Sequence, residues 1–220
     1  MKRQRLRRVV QLLSVIVLGG GNAANLLGAE QYTRVPESLI YCTTCHGVEL
    51  RGNLQVDAPR LNGMADWYVR NQMLAFRNGW RGTHPNDLIG MEMRPQATAL
   101  SPAEVEDAVA FVAAVSRHGL GPAAQDVTAT VTGDTARGAS LYATCAACHG
   151  TAAEGNAALN APGLAGQSDW YLLRQLTKFR SGARGSIEGD VLGAQMRAAM
   201  APLADTAALN DVVAYINTLR

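Results

Sequence analysis

Apolar residues recur every three to four positions along several stretches of the chain, and no stretch alternates apolar and polar residues long enough to indicate a strand. This spacing predicts helices over about residues 66–77, 101–116 and 169–180, and a shorter helix leading into each of two cysteine pairs. A last helix has its apolar positions at Leu209, Val212, Val213, Ile216 and Leu219. The sequence therefore predicts an all-α fold.

Candidate cap residues stand at the start of two of these helices. Ser101, followed by Pro102 and Glu104, is typical of a capping box, in which serine and glutamate each bond the other's backbone amide. The last helix has Ala204 at the corresponding position, so we expect Asp205 to cap it one residue later.

The same sequence pattern occurs twice. Cys42-Thr43-Thr44-Cys45-His46-Gly47 recurs 103 residues later as Cys145-Ala146-Ala147-Cys148-His149-Gly150, and no gap is needed anywhere. Self-similarity at a fixed offset indicates a duplicated unit. The offset also joins Pro59/Pro162, Trp67/Trp170, Tyr68/Tyr171, Gln72/Gln175, Phe76/Phe179, Arg81/Arg184 and Met93/Met196. We predict two tandem domains over residues 30–118 and 135–220, related by internal duplication and joined by a linker at 119–134.

The first 29 residues are typical of a secretory signal peptide. Five basic residues precede an apolar stretch at 9–18, and small residues lie just before Glu30, where we expect cleavage. The alternative is an uncleaved anchor, but the apolar stretch is shorter than the roughly 20 residues that span a bilayer. We therefore expect an exported, periplasmic protein.

Composition narrows the functional classes. The chain has 220 residues, 48% of them hydrophobic and 17% charged, with a formal net charge of +2. Without the leader, 15 basic side chains face 18 acidic ones, which leaves a net charge of about −3. This balance excludes a disordered chain and a basic nucleic-acid binder, so no nucleic acid partner is expected.

The repeated Cys-x-x-Cys-His sequence is the attachment pattern of c-type haem. Its two thiols add to the two vinyl groups of one porphyrin, and the following imidazole binds the iron. A thioredoxin-like dithiol would need a βαβ pattern, and a zinc ribbon would place its cysteine pairs about 15–20 residues apart. Disulfides would not require a histidine in both copies. We predict two covalently attached haem c groups, held by Cys42, Cys45, His46, Cys145, Cys148 and His149.

The repeat also selects a sixth iron ligand. Of the seven methionines, only Met93 and Met196 correspond at the offset, and each lies 47 residues after its histidine. We predict that both bind iron; the alternative is that they fill the core. Histidine–methionine ligation raises the reduction potential and leaves no open position for peroxide or oxygen. The predicted chemistry is therefore electron transfer, without catalysis of a bond-changing reaction.

For the other repeated residues, the sequence leaves two interpretations of their role open. The carbonyl groups of Pro59 and Pro162 are candidates to orient the two histidines, or these are ordinary turn prolines. The paired aromatic residues Trp67, Tyr68, Trp170 and Tyr171 suit either a porphyrin contact or a plain core. Six arginines either neutralise haem propionates or lie on the solvated surface: Arg77, Arg81, Arg94, Arg180, Arg184 and Arg197.

With these residues, nearly all of the mature chain resembles the class I c-type cytochromes, and in particular the dihaem cytochrome c4 family. The resemblance includes the runs at 162–167 and 171–176 and a methionine eight residues before the segment that opens the last helix of each unit, at Ser101 and Ala204. It implies a helical cytochrome c fold in each half and haem edges that face each other across a pseudo-twofold interface. The first copy departs from the family at 59–64, and lysine is nearly absent from the mature chain.

The resemblance implies a periplasmic carrier that transfers single electrons between a respiratory donor and an acceptor such as a terminal oxidase. Its partners would be redox proteins: an oxidase, a dehydrogenase or a quinol-oxidising complex. The alternative is an electron-transfer subunit of a periplasmic or membrane-bound oxidoreductase, which would associate with a membrane complex through its partner. A dihaem peroxidase would need one iron to lose its distal ligand, and the two methionines in register argue against it.

Overall fold

Eight α-helices make up most of the part of the chain that the computed structural model describes, residues 35–117 and 128–219. In chain order they are α1 (Ile40–His46), α2 (Asp66–Arg77), α3 (Leu88–Ala99), α4 (Pro102–Arg117), α5 (Thr135–His149), α6 (Asp169–Ser181), α7 (Val191–Ala198) and α8 (Thr206–Ile216). Short 3₁₀ turns lie at Glu37–Leu39, Leu54–Val56, Ala157–Leu159 and Asn217–Leu219. These described residues form one compact body. Its strand-like pairing consists of two isolated antiparallel bridges, Asn53 with Ala58 and Asn156 with Ala161.

The predicted leader, His118 and residues 119–127 of the predicted linker lie outside the described residues. None of the helices that the structure describes has the length and apolar character needed to cross a membrane. The all-α prediction is confirmed: α1–α4 and α5–α8 follow the same order in two tandem units.

Cap contacts explain where several helices begin. The Ser101 amide donates to Glu104 at 2.7 Å, and the Glu104 amide donates to the Ser101 hydroxyl at 3.3 Å, so the predicted capping box is present before α4. Asp205 accepts from the Ala208 amide at 2.7 Å and caps α8 as expected. Each contact satisfies an amide that has no partner within its helix.

Helices α3 and α7 were not predicted from the apolar pattern. Gly90 and Pro95 interrupt the helical spacing in α3, and both residues are poor helix formers. Instead, Asp87 and Asp190 set the starts of these helices by accepting hydrogen bonds from the Gly90 and Gly193 amides, at 3.1 and 2.9 Å. This repeated Asp-x-x-Gly spacing was the available sequence signal for both helices.

The helix before the second cysteine pair is longer than predicted, at 15 residues. Asp134 caps it by accepting from the Ala136 and Arg137 amides. Gly138 then allows α5 to approach α8 closely, because a Cβ there would lie 2.0 Å from the Asp211 carbonyl oxygen. This contact joins the first and last helices of the second unit.

Each unit has its own apolar core. In the first unit the buried residues are Met73, Phe76, Ala97 and Val105, with Met93 and Leu100 packed against them. In the second unit a larger cluster centres on Tyr142, Leu172, Phe179, Leu203, Leu209, Val212 and Val213. Burial of such side chains contributes about 1.5–3 kcal/mol each, so packing rather than helix propensity holds the short helices in place.

Candidate haem sites

The cysteine pairs lie at the ends of α1 and α5, directly before the buried histidines. Cys42 and Cys45 are three residues apart on α1 and therefore lie on the same side of the helix. Cys145 and Cys148 have the same arrangement on α5. All four are free thiols, with the first of each pair half-buried and the second exposed. Each helix thus presents two thiols beside its terminal imidazole.

The two histidines are oriented by the proline carbonyls. The Nδ1 atom of His46 lies 2.7 Å from the Pro59 oxygen, and that of His149 lies 2.8 Å from the Pro162 oxygen. Because a carbonyl oxygen can only accept, Nδ1 must carry the proton in both rings. The lone pair is left on Nε2, the nitrogen available to a metal.

Burial favours the neutral form of both imidazoles. It lowers the pKa of His46 and of His149, and the proline hydrogen bond only partly offsets this effect. A neutral ring is the form that binds iron.

The predicted methionine ligands occupy matched positions on α3 and α7. Met93 and Met196 are both half-buried, and each packs against the core of its own unit. Two of the other methionines differ: Met91 is exposed, and Met200 is buried in the core where the first unit has Ala97. The sulfur that the repeat selects is therefore also the one with a matched environment.

Large apolar side chains lie uncovered at matched positions. Leu88 and Val191 are 67% and 65% exposed, and Val56 and Leu159 are 46% and 50% exposed. Such exposure at the same places in both units indicates a surface that an apolar group covers. A porphyrin attached at the cysteines of each unit is a group of this kind.

Two arginines meet at the interface between the units. Arg81 and Arg184 are buried, and each guanidinium stacks on a phenylalanine ring, 4.3 Å from the centroid of Phe76 and of Phe179 respectively. Arg81 donates to Gln72 at 2.7 Å, and Arg184 donates to Gln175 at 2.7 Å.

These arginines lack an anion. In the described part of the chain, neither forms an ion pair with a carboxylate, and the Nε atom of each is buried without a hydrogen-bond partner. Burial, together with the neighbouring charge of Arg81, lowers the pKa of Arg184 to about 10. Two buried cations with orphaned donors suit a bound anionic group, and haem carries two propionates.

The other predicted arginines have different roles. Arg77 donates to the carbonyls of Ala97 and Leu100 and so joins α2 to the end of α3. Arg180 donates to the Thr206 hydroxyl at 3.3 Å, at the start of α8. Buried nitrogens of Arg94 and Arg180 also lack partners.

The glutamines at the interface have no role that the sequence pattern alone predicts. Gln72 and Gln175 were visible as a repeated pair, but their function depends on a contact between the units that the pattern does not encode. Among the described residues, no three histidine, cysteine, aspartate or glutamate side chains are grouped to hold a metal ion. The side chains present, two thiols with an oriented imidazole in each unit, fit a covalently attached haem.

Comparison with known proteins agrees with this fit. The cytochrome c family model matches residues 28–116 and 135–220. The chain is 37% identical over 164 residues to a thiosulfate dehydrogenase electron acceptor of Stutzerimonas stutzeri (strain A1501), with 71% of each chain covered. It is 30% identical to a cytochrome c4 of Pseudomonas aeruginosa, with 78% of this chain and 82% of that protein covered.

Two solved structures resemble the fold. A cytochrome c4 of Acidithiobacillus ferrooxidans has a TM-score of 0.61 and 26% identity, with 80% of this chain and 97% of that chain covered. A thiosulfate dehydrogenase (TsdBA) of Marichromatium purpuratum has the same TM-score and 29% identity. The match covers 80% of this chain but only 36% of that longer chain. Together with the family match over both units, these similarities confirm the predicted tandem cytochrome c fold. The chain therefore belongs to the cytochrome c family, within the dihaem cytochromes c4, and transfers electrons by means of two covalently attached haem c groups.

Proposed function

We propose that the chain is a periplasmic electron carrier that takes electrons singly from a thiosulfate dehydrogenase and passes them to a respiratory acceptor such as a terminal oxidase. The observation that carries the choice of donor is the 37% identity to a protein named as the electron acceptor of that enzyme. A second relative of the same name, from Thiomonas intermedia, is 27% identical over 195 residues. The similar unit within the longer thiosulfate dehydrogenase chain points to the same donor.

In this proposal, His46 and Met93 would bind the iron in the first unit, and His149 and Met196 would bind it in the second. Cys42, Cys45, Cys145 and Cys148 form the thioether bonds. Bound haem supplies an iron that alternates between ferrous and ferric states. The chain's own residues control how readily that change occurs.

Residues around each proposed haem control its ligation and its charge. The proline carbonyls hold the imidazole protons on Nδ1, so that Nε2 remains a ligand in both oxidation states. The thioethers of Met93 and Met196 favour ferrous iron and keep small molecules from the sixth position. Arg81 and Arg184 offset propionate charge at the interface and so also favour the reduced state.

The proposed methionine ligation of both irons supports a carrier rather than an enzyme. A peroxidase needs a vacant position on one iron, whereas here a methionine lies at the matched place in both units. The leader-like segment at 1–29 and the covalent attachment pattern support export to the periplasm. The second candidate, a tightly bound subunit of an oxidoreductase, is supported by the occurrence of a similar unit within a larger chain.

Anaerobic mixing of the purified holoprotein with a thiosulfate dehydrogenase and thiosulfate tests the proposal. Absorbance should show reduction of both haems only when enzyme and thiosulfate are both present, followed by reoxidation when oxidase-containing membranes and oxygen are added. The Stutzerimonas stutzeri acceptor serves as a positive control. Failure of this chain to be reduced while that control is reduced would exclude the proposed donor.

Native purification separates carrier from subunit. A carrier should elute alone, because transient redox encounters typically bury less than about 1,200 Å². Stable elution with a catalytic chain would favour the subunit alternative.

A further inference from the structure

A buried ion pair joins the second unit to the methionine helix of the first. Lys178 on α6 donates through Nζ to Oδ1 of Asp87, the residue that caps α3. The lysine side chain is 9% exposed and the aspartate side chain is 0% exposed. The two residues are 91 positions apart, so this contact exists only when the units are assembled.

Asp87 holds the backbone around the start of α3. Its Oδ1 accepts from the Gly90 amide and its Oδ2 accepts from the Gly82 amide, both at 3.1 Å. The carboxylate thereby ties the preceding loop to the first turn of the helix that carries Met93. Lys178 provides its countercharge, and removing one partner of a buried pair leaves an uncompensated buried charge, which is strongly destabilising.

The second unit lacks this contact. Ala75 occupies the position that matches Lys178, so the first unit offers no amine to Asp190. Asp190 still accepts from the Gly193 amide at 2.9 Å. Across the described ranges it forms no ion pair, although the charge of Arg184 acts on it from a longer distance.

We propose that Lys178 is a positioning residue that acts through Asp87 to hold Met93 on its iron, while no cation of the first unit pairs with Asp190 at the start of the helix that carries Met196. The inference rests on the proposed ligand role of both methionines. It makes the two haem sites unequal: an added ligand displaces Met196 more easily than Met93. In this respect one lysine makes the two units of a duplicated chain differ.

Imidazole titration of the ferric holoprotein measures this difference. The methionine-to-iron charge-transfer absorption is followed in a Met196→Ala background, where only the first unit contributes, and in a Met93→Ala background, where only the second does. We expect imidazole to bind the second unit more tightly. In the first background, Lys178→Met should raise imidazole affinity about tenfold, which corresponds to about 1.4 kcal/mol.

Matched variants separate positioning from general stability. Arg174→Met removes another contact between the units, the ion pair with Asp57, which does not touch α3. It should leave imidazole affinity at the first unit unchanged, and Lys178→Arg should retain most of the original resistance. If Lys178→Met loads no haem, the double variant Asp87→Asn with Lys178→Met removes both charges and should show the same raised affinity.

The possible failures are distinguishable. Complete absence of the methionine band in either background would overturn the ligand assignment itself. A normal band with equal imidazole affinity in both units, or with no response to loss of the Lys178 charge, would overturn the positioning role alone.

Discussion

The guanidinium of Arg184 donates to the side-chain oxygen of Gln72, 3.2 Å away, although 112 residues separate them along the chain. Arg81 makes the reciprocal contact to Gln175 at 3.5 Å. Such mutual contacts are the signature of a twofold-related interface. Two like charges are therefore held between neutral oxygens at the place where the units meet, which leaves a net positive field there.

This field predicts a role in setting the reduction potentials. Arg81→Gln and Arg184→Gln each remove one buried positive charge, so ferric iron should be favoured and a haem potential should fall by on the order of tens of millivolts. A redox titration measures the change. Arg77→Gln is the control, because Arg77 binds backbone carbonyls of its own unit. Unaltered potentials in both interface variants would contradict the assigned role.

If Met93 and Met196 each bind one iron, replacing either methionine should affect only one haem. Met93→Ala should lower the potential of one haem and remove its methionine-to-iron absorption, while the other haem keeps both properties; Met196→Ala should do the converse. Met200→Leu is the matched control, since Met200 is buried in the core. Wild-type spectra and potentials in both alanine variants would show that other groups bind the iron.

Asp169 predicts an unequal stability of the two units. It accepts from the amides of Thr130 and Val131, at 2.5 and 2.7 Å, and from the Asn217 amide group at 3.1 Å. Asp169→Ala should lower the free energy of unfolding by about 2–3 kcal/mol, because several partly buried donors lose their acceptor. Denaturant titration of the holoprotein measures it. The exposed counterpart variant Asp66→Ala should cost less than about 1 kcal/mol, and equal effects would contradict this account.

The same aspartate predicts a pH dependence. Burial acts to raise the pKa of Asp169, but hydrogen bonds from Val131 and Thr130 outweigh it, and the pKa lies below its ordinary value. At pH values between the folded and unfolded pKa of Asp169, the unfolded chain binds more protons than the folded chain. The stabilisation that this carboxylate gives the folded state is therefore complete above the ordinary aspartate pKa of about 3.9, and it is lost as the pH falls below that value. The Tm difference between wild type and Asp169→Asn should therefore become smaller as the pH falls below the ordinary aspartate pKa. A constant difference would contradict the assigned pKa.

Two glycines with similar backbone angles should lose different amounts of stability when replaced by alanine. Gly82 has φ of +74°, and a Cβ there would lie 2.2 Å from the Gly90 carbonyl oxygen in α3. Gly79 has φ of +76°, but the nearest atom to its Cβ would be Thr83 Cγ2 at 3.4 Å. Gly79→Ala should cost about 1 kcal/mol from the backbone angle alone, and Gly82→Ala several kcal/mol more. Thermal unfolding of the two variants would refute this reading if their Tm values were equal.

The sequence predicted what local spacing and duplication determine. Helices α2, α4, α6 and α8 follow from the apolar spacing, and the cysteine and histidine positions follow from the repeated attachment sequence. The starts of α3 and α7 depend on Asp87 and Asp190, whose side chains replace the missing hydrophobic signal. The Lys178 contact was not predictable, because its partner comes from another unit and the repeat shows only an unmatched alanine.

The predicted linker also contains contacts that the sequence pattern does not reveal. Thr130 and Val131 lie within residues 119–134, a stretch without apolar spacing, yet both are bonded to α6 through Asp169. Backbone hydrogen bonds to a distant carboxylate leave no periodic trace in the sequence. The domain limits at 30–118 and 135–220 remain a prediction.

A reductive titration under anaerobic conditions, counting the electrons taken up per purified chain, examines the main conclusion most directly. We expect two electrons per chain, each taken up reversibly, with no spectral response of the reduced protein to carbon monoxide. Uptake of one electron or none, or carbon monoxide binding at either iron, would contradict a carrier with two haems that are both closed by methionine.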